Sequence, residues 1–317
     1  MNTTLRPKPH NIEFEITTAC NYGCFHCYCN AGKKSVVELT TEEIKSVIDQ
    51  LIEAEAELLD IVGGEPLLRE DILEILSYGR SRGLKMLMNT NASLATKELV
   101  KNLKEVVPDL LVGVSLDGPT PEVHEFVRGK GTFEKTMNGI NNFLNAGFDV
   151  TLLFVVNREN YKYIDDMLIL SEKLGANLYV DRFVPVGRGK IFKDRLLPTR
   201  EMVEYVAEKL KAYKGNVELY IEENILGEEC TAGRTHASIL VDGNVVPCGH
   251  FRYNPEFYMG NVRNERFKVI WEKYNNQILL PNVCAKCSLR NVSCKSGCLA
   301  YAYLNESKVD DIHCKLL

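Results

Sequence analysis

The distribution of cysteines constrains this sequence more than any other feature. Four of the eleven cysteines lie within Cys20–Cys29, the other seven lie within Cys230–Cys314, and residues 30–229 contain none. Cytosolic thiols are kept reduced, so clustered cysteines in a cytosolic chain indicate metal ligands rather than disulfides. The sequence therefore predicts two regions in which cysteines hold metal, one towards each end of the chain.

Charge and hydropathy exclude several classes of protein. The formal net charge of −5 gives no basic footprint for nucleic acid. No apolar run is long enough to span a membrane, and residues 1–11 lack the apolar core of a signal peptide. We therefore expect a cytoplasmic protein that binds neither nucleic acid nor a membrane.

The first two thirds of the chain alternate strand and helix patterns. The predicted strands are Ile12–Ile16, Leu58–Val62, Leu84–Met88, Leu110–Leu116, Val150–Val156 and Leu178–Val184. The predicted helices are Thr41–Ala56, Glu70–Arg82, Thr96–Glu105, Phe133–Ala146, Tyr161–Leu174 and Arg200–Tyr213, the first of them opened by a capping-box pattern at Thr40 and Glu43. Six such units predict an α/β fold with a parallel sheet covered by helices.

Polar and cysteine-rich segments follow the predicted strands. Parallel α/β sheets place their active sites at the carboxyl ends of the strands. The segments at those ends are Cys20–Cys27, Gly63–Pro66, Asn89–Asn91, Ser115–Asp117 and Asn157, in strand order. From about Val217 the helical periodicity fades and turn residues accumulate. We therefore expect two domains, 1–215 and 216–317, the second held together largely by metal sites.

The first cysteine group is Cys20-x3-Cys24-x2-Cys27. A [4Fe–4S] cluster has four iron corners, so three protein thiolates leave one iron open to a small molecule. Cys29 is expected to point away from that cluster, because alternate residues of an extended loop face opposite sides. A zinc site with His26 as the fourth ligand is the alternative.

This spacing resembles the CxxxCxΦC signature of radical S-adenosylmethionine (SAM) enzymes, with His26 at the aromatic position. The resemblance implies a partial (β/α)6 barrel and a [4Fe–4S] cluster whose open iron binds SAM, so that a 5′-deoxyadenosyl radical can abstract a substrate hydrogen. It also implies SAM contacts by His26, Gly63, Gly64, Glu65, Pro66, Asn91, Ser115, Asp117, Arg128 and Asn157. Taken singly, these residues have ordinary alternatives, such as a tight turn at Gly63–Gly64 or a solvated charge at Arg128.

The second cysteine group has seven members. Their spacing is Cys230-x12-Gly243-x4-Cys248, then Cys284-x2-Cys287-x6-Cys294-x3-Cys298, then Cys314. A zinc ribbon would leave three of them unexplained, and an all-disulfide arrangement would leave one. The spacing resembles the SPASM extension of radical SAM enzymes, apart from six rather than five residues between Cys287 and Cys294.

The SPASM resemblance implies two auxiliary [4Fe–4S] clusters, which makes three clusters in all. Cluster I would use Cys230, Cys248 and Cys298, and cluster II would use Cys284, Cys287, Cys294 and Cys314. Since no cysteine lies between Cys29 and Cys230, cluster I is expected to have an open iron, a non-cysteine ligand or a substrate ligand. Ligation of cluster I by Cys29 would contradict this hypothesis.

The function that the resemblance implies is oxidative modification of a peptide or protein side chain, by crosslinking or oxidation. The expected partners are the peptide or protein substrate, an electron donor such as flavodoxin or ferredoxin, and a separate leader-binding protein, because the chain has no room for a leader-binding domain. Modification of a tetrapyrrole or other cofactor is an alternative enzymatic function, and an iron–sulfur electron carrier is the non-enzymatic one.

No catalytic acid or base is assigned from the sequence. Glu15 and Asp117 are expected either to line the cavity or to serve as structural caps. Arg182 and Arg188 are expected either to bind a substrate carboxylate or to be surface charges.

Overall fold

The computed structural model describes residues 7–304 and 308–316. The strands are β1 (Asn11–Glu15), β2 (Leu58–Val62), β3 (Lys85–Thr90), β4 (Leu111–Ser115), β5 (Asp149–Val156), β6 (Asn177–Arg182), β7 (Leu219–Ile221), β8 (His236–Ile239), β9 (Asn244–Val246) and β10 (Gly260–Asn261). The helices are α1 (Thr41–Glu53), α2 (Ile72–Ser81), α3 (Lys97–Val106), α4 (Pro121–Arg128), α5 (Phe133–Asn145), α6 (Ile164–Leu174), α7 (Lys193–Leu196), α8 (Arg200–Ala212), α9 (Glu223–Leu226), α10 (Phe267–Lys273), α11 (Asn282–Ala285) and α12 (Leu299–Leu304).

One ten-stranded sheet runs through the molecule, in the order β10-β9-β8-β1-β2-β3-β4-β5-β6-β7. Strands β1 to β7 are parallel neighbours in sequence order, and helices connect the first six in turn. The strand order does not return to its start, so the sheet forms an open barrel. This confirms the predicted α/β class and the partial (β/α)6 barrel.

Alternation along the strands separates two faces of the sheet. In β5, Val150, Leu152, Phe154 and Val156 are buried, while the intervening residues keep partial exposure. The buried set packs against the helices in the main hydrophobic core, and the alternate set faces the inside of the barrel. At the start of α1 the predicted capping box between Thr40 and Glu43 is present.

The predicted elements agree with the observed ones to within a few residues, and several short elements were missed, among them α4 and β7. Helix α4 has Pro121 in its first turn and Thr120 at its N-cap, a helix-start signal that lies within an apparent loop. Strand β7 has three residues and no strong alternation. Its pairing with β6 is a long-range contact that a local pattern does not contain.

The C-terminal region extends the sheet at both edges. Strand β7 pairs with β6 at one edge, and β8 pairs parallel to β1 at the other. Strands β8 and β9 form a hairpin whose turn contains Gly243, and its φ of +86° suits a glycine. The division into domains 1–215 and 216–317 stays a prediction. Among the described residues, no helix combines the length and hydrophobicity that crossing a bilayer requires.

Candidate active site and auxiliary cysteine groups

The loop after β1 brings the first three cysteines together. The backbone N–H of Cys20 donates to the Gly32 carbonyl at 2.9 Å, which folds the loop back on itself. Burial, opposed by Arg128 and aided by Cys27 and Cys20, raises the pKa of the Cys24 thiol to about 11. The backbone N–H of Cys27 donates to the Cys24 carbonyl at 3.3 Å, so a turn holds these two cysteines together. Ligation of one cluster by all three cysteines stays a prediction.

Arg188, in the segment after β6, binds this loop through its side chain. Its guanidinium donates to the carbonyl oxygens of Cys24, at 3.0 Å, and of Ala31. The residue is half-buried. The expectation of a surface charge or a carboxylate-binding group at Arg188 was therefore wrong in this structure: the side chain positions the loop.

The Gly63–Gly64 turn packs directly against the segment that leads into the first cysteine. The N–H of Gly64 donates to the Thr17 carbonyl, and the N–H of Glu65 to the Ala19 carbonyl, both at 2.7 Å. A Cβ on Gly64 would lie 2.0 Å from the Ala19 oxygen. The glycines are needed because two backbone segments touch at this turn. The SAM contacts of Gly63 and Gly64 stay predictions.

Glu65 ties the ends of β2 and β3 together. Its buried carboxylate accepts from the Thr90 hydroxyl at 2.6 Å, the Asn91 N–H at 2.7 Å and the Leu67 N–H at 3.1 Å. The Asn91 side chain in turn donates to Asn21 in the cysteine loop at 2.9 Å. Pro66 begins a short 3-10 turn after Glu65. The segment is rigid and aligned with the cysteine loop.

A buried ionic network lies beside the cysteines. Arg128 Nε is 2.5 Å from Asp117 Oδ2, and His26 Nε2 is 3.2 Å from the same oxygen. Although burial opposes it, the charge of Arg128 and that of His26 hold the pKa of Asp117 well below its usual range. Arg128 Nη1 also lies 3.8 Å from Cys24 Sγ. Arg128 is therefore not a solvated charge: it places a fixed positive charge next to the thiols.

His26 does not complete a zinc site. Its Nε2 faces Asp117 and Arg128, and its buried Nδ1 has no hydrogen-bond partner. Within residues 7–304 and 308–316, no three His, Cys, Asp or Glu side chains converge as they would around a single metal ion. Three thiols, with the imidazole of His26 directed at Asp117 and Arg128, fit a cluster with one open iron better than a closed four-ligand zinc site.

The last three residues considered are Ser115 and Asn157, expected to contact SAM, and Cys29, expected to point away from the first cluster. Ser115 ends β4 and is half-buried. The Asn157 amide is used in its own turn, where it donates to Val155 O at 3.2 Å and accepts from Glu159 N at 3.0 Å. Their SAM contacts stay predictions. Cys29 Sγ lies 3.6 Å from Cys27 Sγ, so the prediction that Cys29 points away was wrong, because the loop turns there instead of staying extended.

Cys230, Cys248 and Cys298 form the first auxiliary group. Burial, opposed by Arg182 and aided by Cys230, raises the pKa of Cys298 to about 12. Burial also raises the pKa of Cys248, with contributions from Cys230 and Cys298. Of the side chains near Cys248, His250 has Nδ1 at 3.7 Å from its sulfur. Cys29 lies beside Cys27 instead, so the hypothesis that cluster I is not closed by Cys29 is retained as a prediction.

Cys284, Cys287, Cys294 and Cys314 form the second auxiliary group. All four line one cavity near the surface, together with apolar side chains such as Val283 and Leu289. Burial raises the pKa of Cys284, and the other three thiols raise it further. The structure brings together the members of each predicted set, and none of the eleven cysteines forms a disulfide. Their ligation of two clusters stays a prediction.

Comparisons with known proteins agree with this geometry. Residues 14–170 match the radical SAM superfamily, and residues 230–294 match an iron–sulfur cluster-binding domain, SPASM. The chain is 31% identical over 321 residues to mycofactocin maturase MftC of Mycolicibacterium smegmatis, covering 95% of this chain and 81% of MftC. The chain belongs to the radical SAM superfamily, with a SPASM domain.

Other relatives and folds are similar. The AdoMet-dependent heme synthase of Methanosarcina barkeri is 31% identical, over 93% of this chain and 92% of that protein. The subtilosin biosynthesis protein AlbA of Bacillus subtilis is 30% identical, over 84% of this chain and 60% of AlbA. Streptococcus suis SuiB bound to SAM superposes with a TM-score of 0.78 at 18% identity, over 96% of this chain and 77% of SuiB, and shows the same fold.

As a radical SAM enzyme, the chain binds SAM and a [4Fe–4S] cluster, and its SPASM domain binds auxiliary iron–sulfur clusters. The bound cofactors supply one-electron cleavage of SAM and hence a radical that takes hydrogen from a substrate. The protein residues position these groups. Membership in this enzyme family favours an enzyme over a pure electron carrier.

A buried ion pair ties the barrel of this radical SAM enzyme to the C-terminal segment of the chain. Arg182, at the end of β6, donates to Asp310 at 2.8 and 3.2 Å, and both side chains are fully buried. Asp310 also accepts from the backbone N–H of Cys298 at 2.8 Å. The expectation that Arg182 binds substrate or is a surface charge was wrong, because the side chain is buried and paired with Asp310. The partner lies 128 residues away in the sequence, so no local pattern indicated the pair.

The inside of the barrel is lined by carboxyl groups that the sequence argument largely missed. Glu13 and Glu15 on β1 alternate with the buried Ile12 and Phe14. Glu15 is paired with Arg252, with one contact at 2.6 Å, while Glu13 accepts from Ser238 at 2.9 Å and from the Tyr28 hydroxyl. Glu15 therefore lines the inside of the barrel, in agreement with one of its two expected roles.

Three further carboxyl groups lie on or directly after other strands: Asp60 on β2, Asp181 on β6 and Glu222 just after β7. Asp60 accepts from Asn89, Asp181 from Asn224 and Glu222 from Tyr179, at distances between 2.5 and 3.0 Å. Burial raises the pKa of each of the three. Asp60 influences Tyr179 although β2 and β6 are four strands apart, which places them across the barrel. Strand alternation was the signal that could have found these residues.

Proposed function

We propose that this enzyme uses a 5′-deoxyadenosyl radical to modify a peptide or protein side chain oxidatively, by crosslinking or oxidation. The observation that carries the proposal is the presence of three separate cysteine groups on one chain. The first group, beside Asp117 and Arg128, suits SAM. The two C-terminal groups can take the electron that remains after a hydrogen atom is removed from the substrate.

The residues of the first site divide the work of holding SAM in this proposal. Arg128 and Asp117 set the charge beside the cysteines, with Arg128 meeting the SAM carboxylate. Gly63, Gly64, Glu65 and Pro66 form the turn that meets the SAM amino group, since a carboxylate suits an ammonium. His26, Asn91, Ser115 and Asn157 complete the contacts to adenine and ribose. The orphaned, buried Nδ1 of His26 supports a ligand on that side.

The maturase relatives support a peptide substrate. MftC is a mycofactocin maturase, and AlbA acts in the biosynthesis of the bacteriocin subtilosin. The heme synthase has the same sequence identity to this chain as MftC and supports the tetrapyrrole alternative. Burial favours the uncharged form of Asp60, Asp181 and Glu222, so these groups do not repel a substrate that carries carboxylates. The peptide proposal therefore rests on the relatives.

The proposal includes two protein partners and a compartment. One partner is a one-electron carrier such as flavodoxin or ferredoxin, and the other is a separate leader-binding protein that presents the peptide. The eleven free cysteines suit a reducing compartment, and we propose the cytoplasm.

The test begins with anaerobic reconstitution of the holoenzyme with iron and sulfide. With SAM and a strong chemical reductant, the wild type is expected to form 5′-deoxyadenosine, measured by mass spectrometry. A variant with Cys20, Cys24 and Cys27 all changed to Ala is expected to form none. A variant with Cys29→Ser is the matched control, because Cys29 lies beside the same loop but is not a predicted ligand.

The substrate arm offers peptides encoded beside the gene, and separately an iron tetrapyrrole with carboxylate side chains. A peptide that loses hydrogens in the presence of SAM supports the proposal. Conversion of the tetrapyrrole alone would move the alternative function to the front. Absence of 5′-deoxyadenosine from a wild type with a full iron load would refute the radical function.

A further inference from the structure

The surface around the second auxiliary group differs from the rest of the molecule in charge. The chain as a whole carries a net charge of −5. Residues 282–304, however, contain three basic side chains, Lys286, Arg290 and Lys295, and no acidic one. Lys286 and Lys295 are exposed, as is Lys315 next to Cys314. The cysteines of the second group thus lie under a local excess of positive charge.

The same surface exposes apolar side chains. Val283, Val292 and Leu316 have exposed fractions of 51%, 81% and 63%. Val283 and Leu316 line the cavity that holds the four cysteines, together with Arg290 and Lys315. Val292 and Lys295 line the adjoining cavity, which also contains Cys294 and Lys315. An apolar centre with a charged rim is the usual anatomy of a protein–protein interface.

Acidic side chains are few and lie at the margin. Glu228 lies in the adjoining cavity beside Lys295 and Lys315. Asp310 is buried and paired with Arg182, so it adds no negative charge to the surface. The positive charge of Lys286, Arg290, Lys295 and Lys315 is therefore largely unopposed among the described residues. We call these four residues, with Val283, Val292 and Leu316, the basic collar.

We propose that the basic collar is the docking surface for an acidic one-electron carrier protein, which exchanges electrons with the enzyme through the second auxiliary group. The inference rests on the proposed oxidative function. A carrier must bring its redox centre close to one in the enzyme, and here the cysteines of the second group open to the surface inside the collar. Charge complementarity selects an acidic carrier and speeds its encounter.

The electrons balance for a two-electron oxidation of substrate. Removal of a hydrogen atom leaves a substrate radical, which gives up one electron and one proton to reach a closed-shell product. The electron leaves to the oxidised carrier, which is reduced by one electron. The cleavage of SAM consumes one electron from a reduced carrier, so each turnover returns one electron for each one taken.

The test measures binding of the holoenzyme to an oxidised flavodoxin by anaerobic biolayer interferometry at low ionic strength. Lys286→Glu with Lys295→Glu is expected to weaken the affinity by about ten-fold or more, since it reverses two charges in a complementary interface. The control, Lys101→Glu with Lys135→Glu, makes the same charge change on exposed positions of α3 and α5 and is expected to change it by less than about two-fold. Raising the salt concentration should reduce the difference.

The outcomes separate this proposal from the proposed function. Equal weakening by both variants, or by neither, overturns the docking surface. In the collar variant, iron content and 5′-deoxyadenosine formation with a chemical reductant should equal those of the wild type. If the wild type itself forms no 5′-deoxyadenosine with a full iron load, the proposed function is refuted instead. Carbodiimide crosslinking of wild-type enzyme to flavodoxin covers the case in which the variant does not fold. Crosslinks at Lys286, Lys295 or Lys315 support the proposal, and crosslinks confined to other lysines overturn it.

Discussion

The pair formed by Arg182 and Asp310 allows a quantitative prediction. Both side chains are fully buried, and the guanidinium binds the carboxylate through two contacts, at 2.8 and 3.2 Å. Changing Arg182 to Met removes the positive partner and leaves a buried carboxylate held only by backbone N–H groups. Loss of one partner of a buried pair costs about 3–5 kcal/mol, a large share of the roughly 5–15 kcal/mol by which folded domains are stable.

The measurement is anaerobic urea unfolding of the holoenzyme, followed by far-UV circular dichroism. With a denaturant slope of about 3 kcal/mol/M, the midpoint of Arg182→Met should fall by about 1–1.7 M. Arg80→Met is the matched control, because the Arg80–Asp109 pair is largely exposed. Its cost should stay below about 1 kcal/mol.

The double variant Arg182→Met with Asp310→Asn tests the electrostatic reason. The neutral amide no longer leaves a charge buried, so the double variant should be more stable than Arg182→Met alone. If Arg182→Met shifts the midpoint no more than Arg80→Met does, or if the double variant loses the sum of both single costs, the reasoning fails.

Three further predictions concern the cysteine loop and the barrel interior. Gly64→Ala should prevent assembly of the first cluster, because the added Cβ would collide with the Ala19 backbone. The measured result should be loss of about one third of the bound iron. Gly32→Ala is the control, since its Cβ would have open space, and it should keep the cluster. Arg188→Met should weaken iron loading of the same loop and lower SAM cleavage, with exposed Arg158→Met as the control that leaves both unchanged. Burial raises the pKa of Asp60, so near neutral pH the folded chain holds a proton that the unfolded chain has released. The contribution of Asp60 to stability therefore falls as pH rises above about 4, the unfolded value. The change in Tm on Asp60→Asn should accordingly be more favourable at pH 8 than at pH 6.

Spacing along the chain predicted the metal regions because cluster ligands lie on short loops. Cys20, Cys24 and Cys27 lie on one turn, and the four cysteines of the second auxiliary group line one cavity. Strand and helix periodicity predicted the first six β–α units for a similar reason, since the pattern of buried residues is local. Features that depend on a few neighbouring residues were therefore accessible from the sequence.

Features that depend on distant partners were not accessible. Arg182 was expected to be a surface charge or a substrate contact, and its role depends on Asp310 at the far end of the chain. Arg188 binds carbonyl oxygens more than 150 residues away. The glycines of the Gly63–Gly64 turn were predicted, but their physical reason is a backbone contact with Thr17 and Ala19.

Asp310 contacts the barrel and both auxiliary cysteine groups. Its carboxylate binds Arg182 at the end of the barrel strand β6 and the backbone of Cys298 in the first auxiliary group. It also lines the cavity of the second auxiliary group. On the other side, a Cβ on Gly249, the neighbour of Cys248, would lie 3.3 Å from Glu13 Oε1 in the barrel interior. The first auxiliary group is therefore next to the barrel interior and, through Asp310, next to the second group. In the proposed function, an electron taken from a substrate in the interior would meet the groups in that order, which is the reason to expect a carrier at the basic collar.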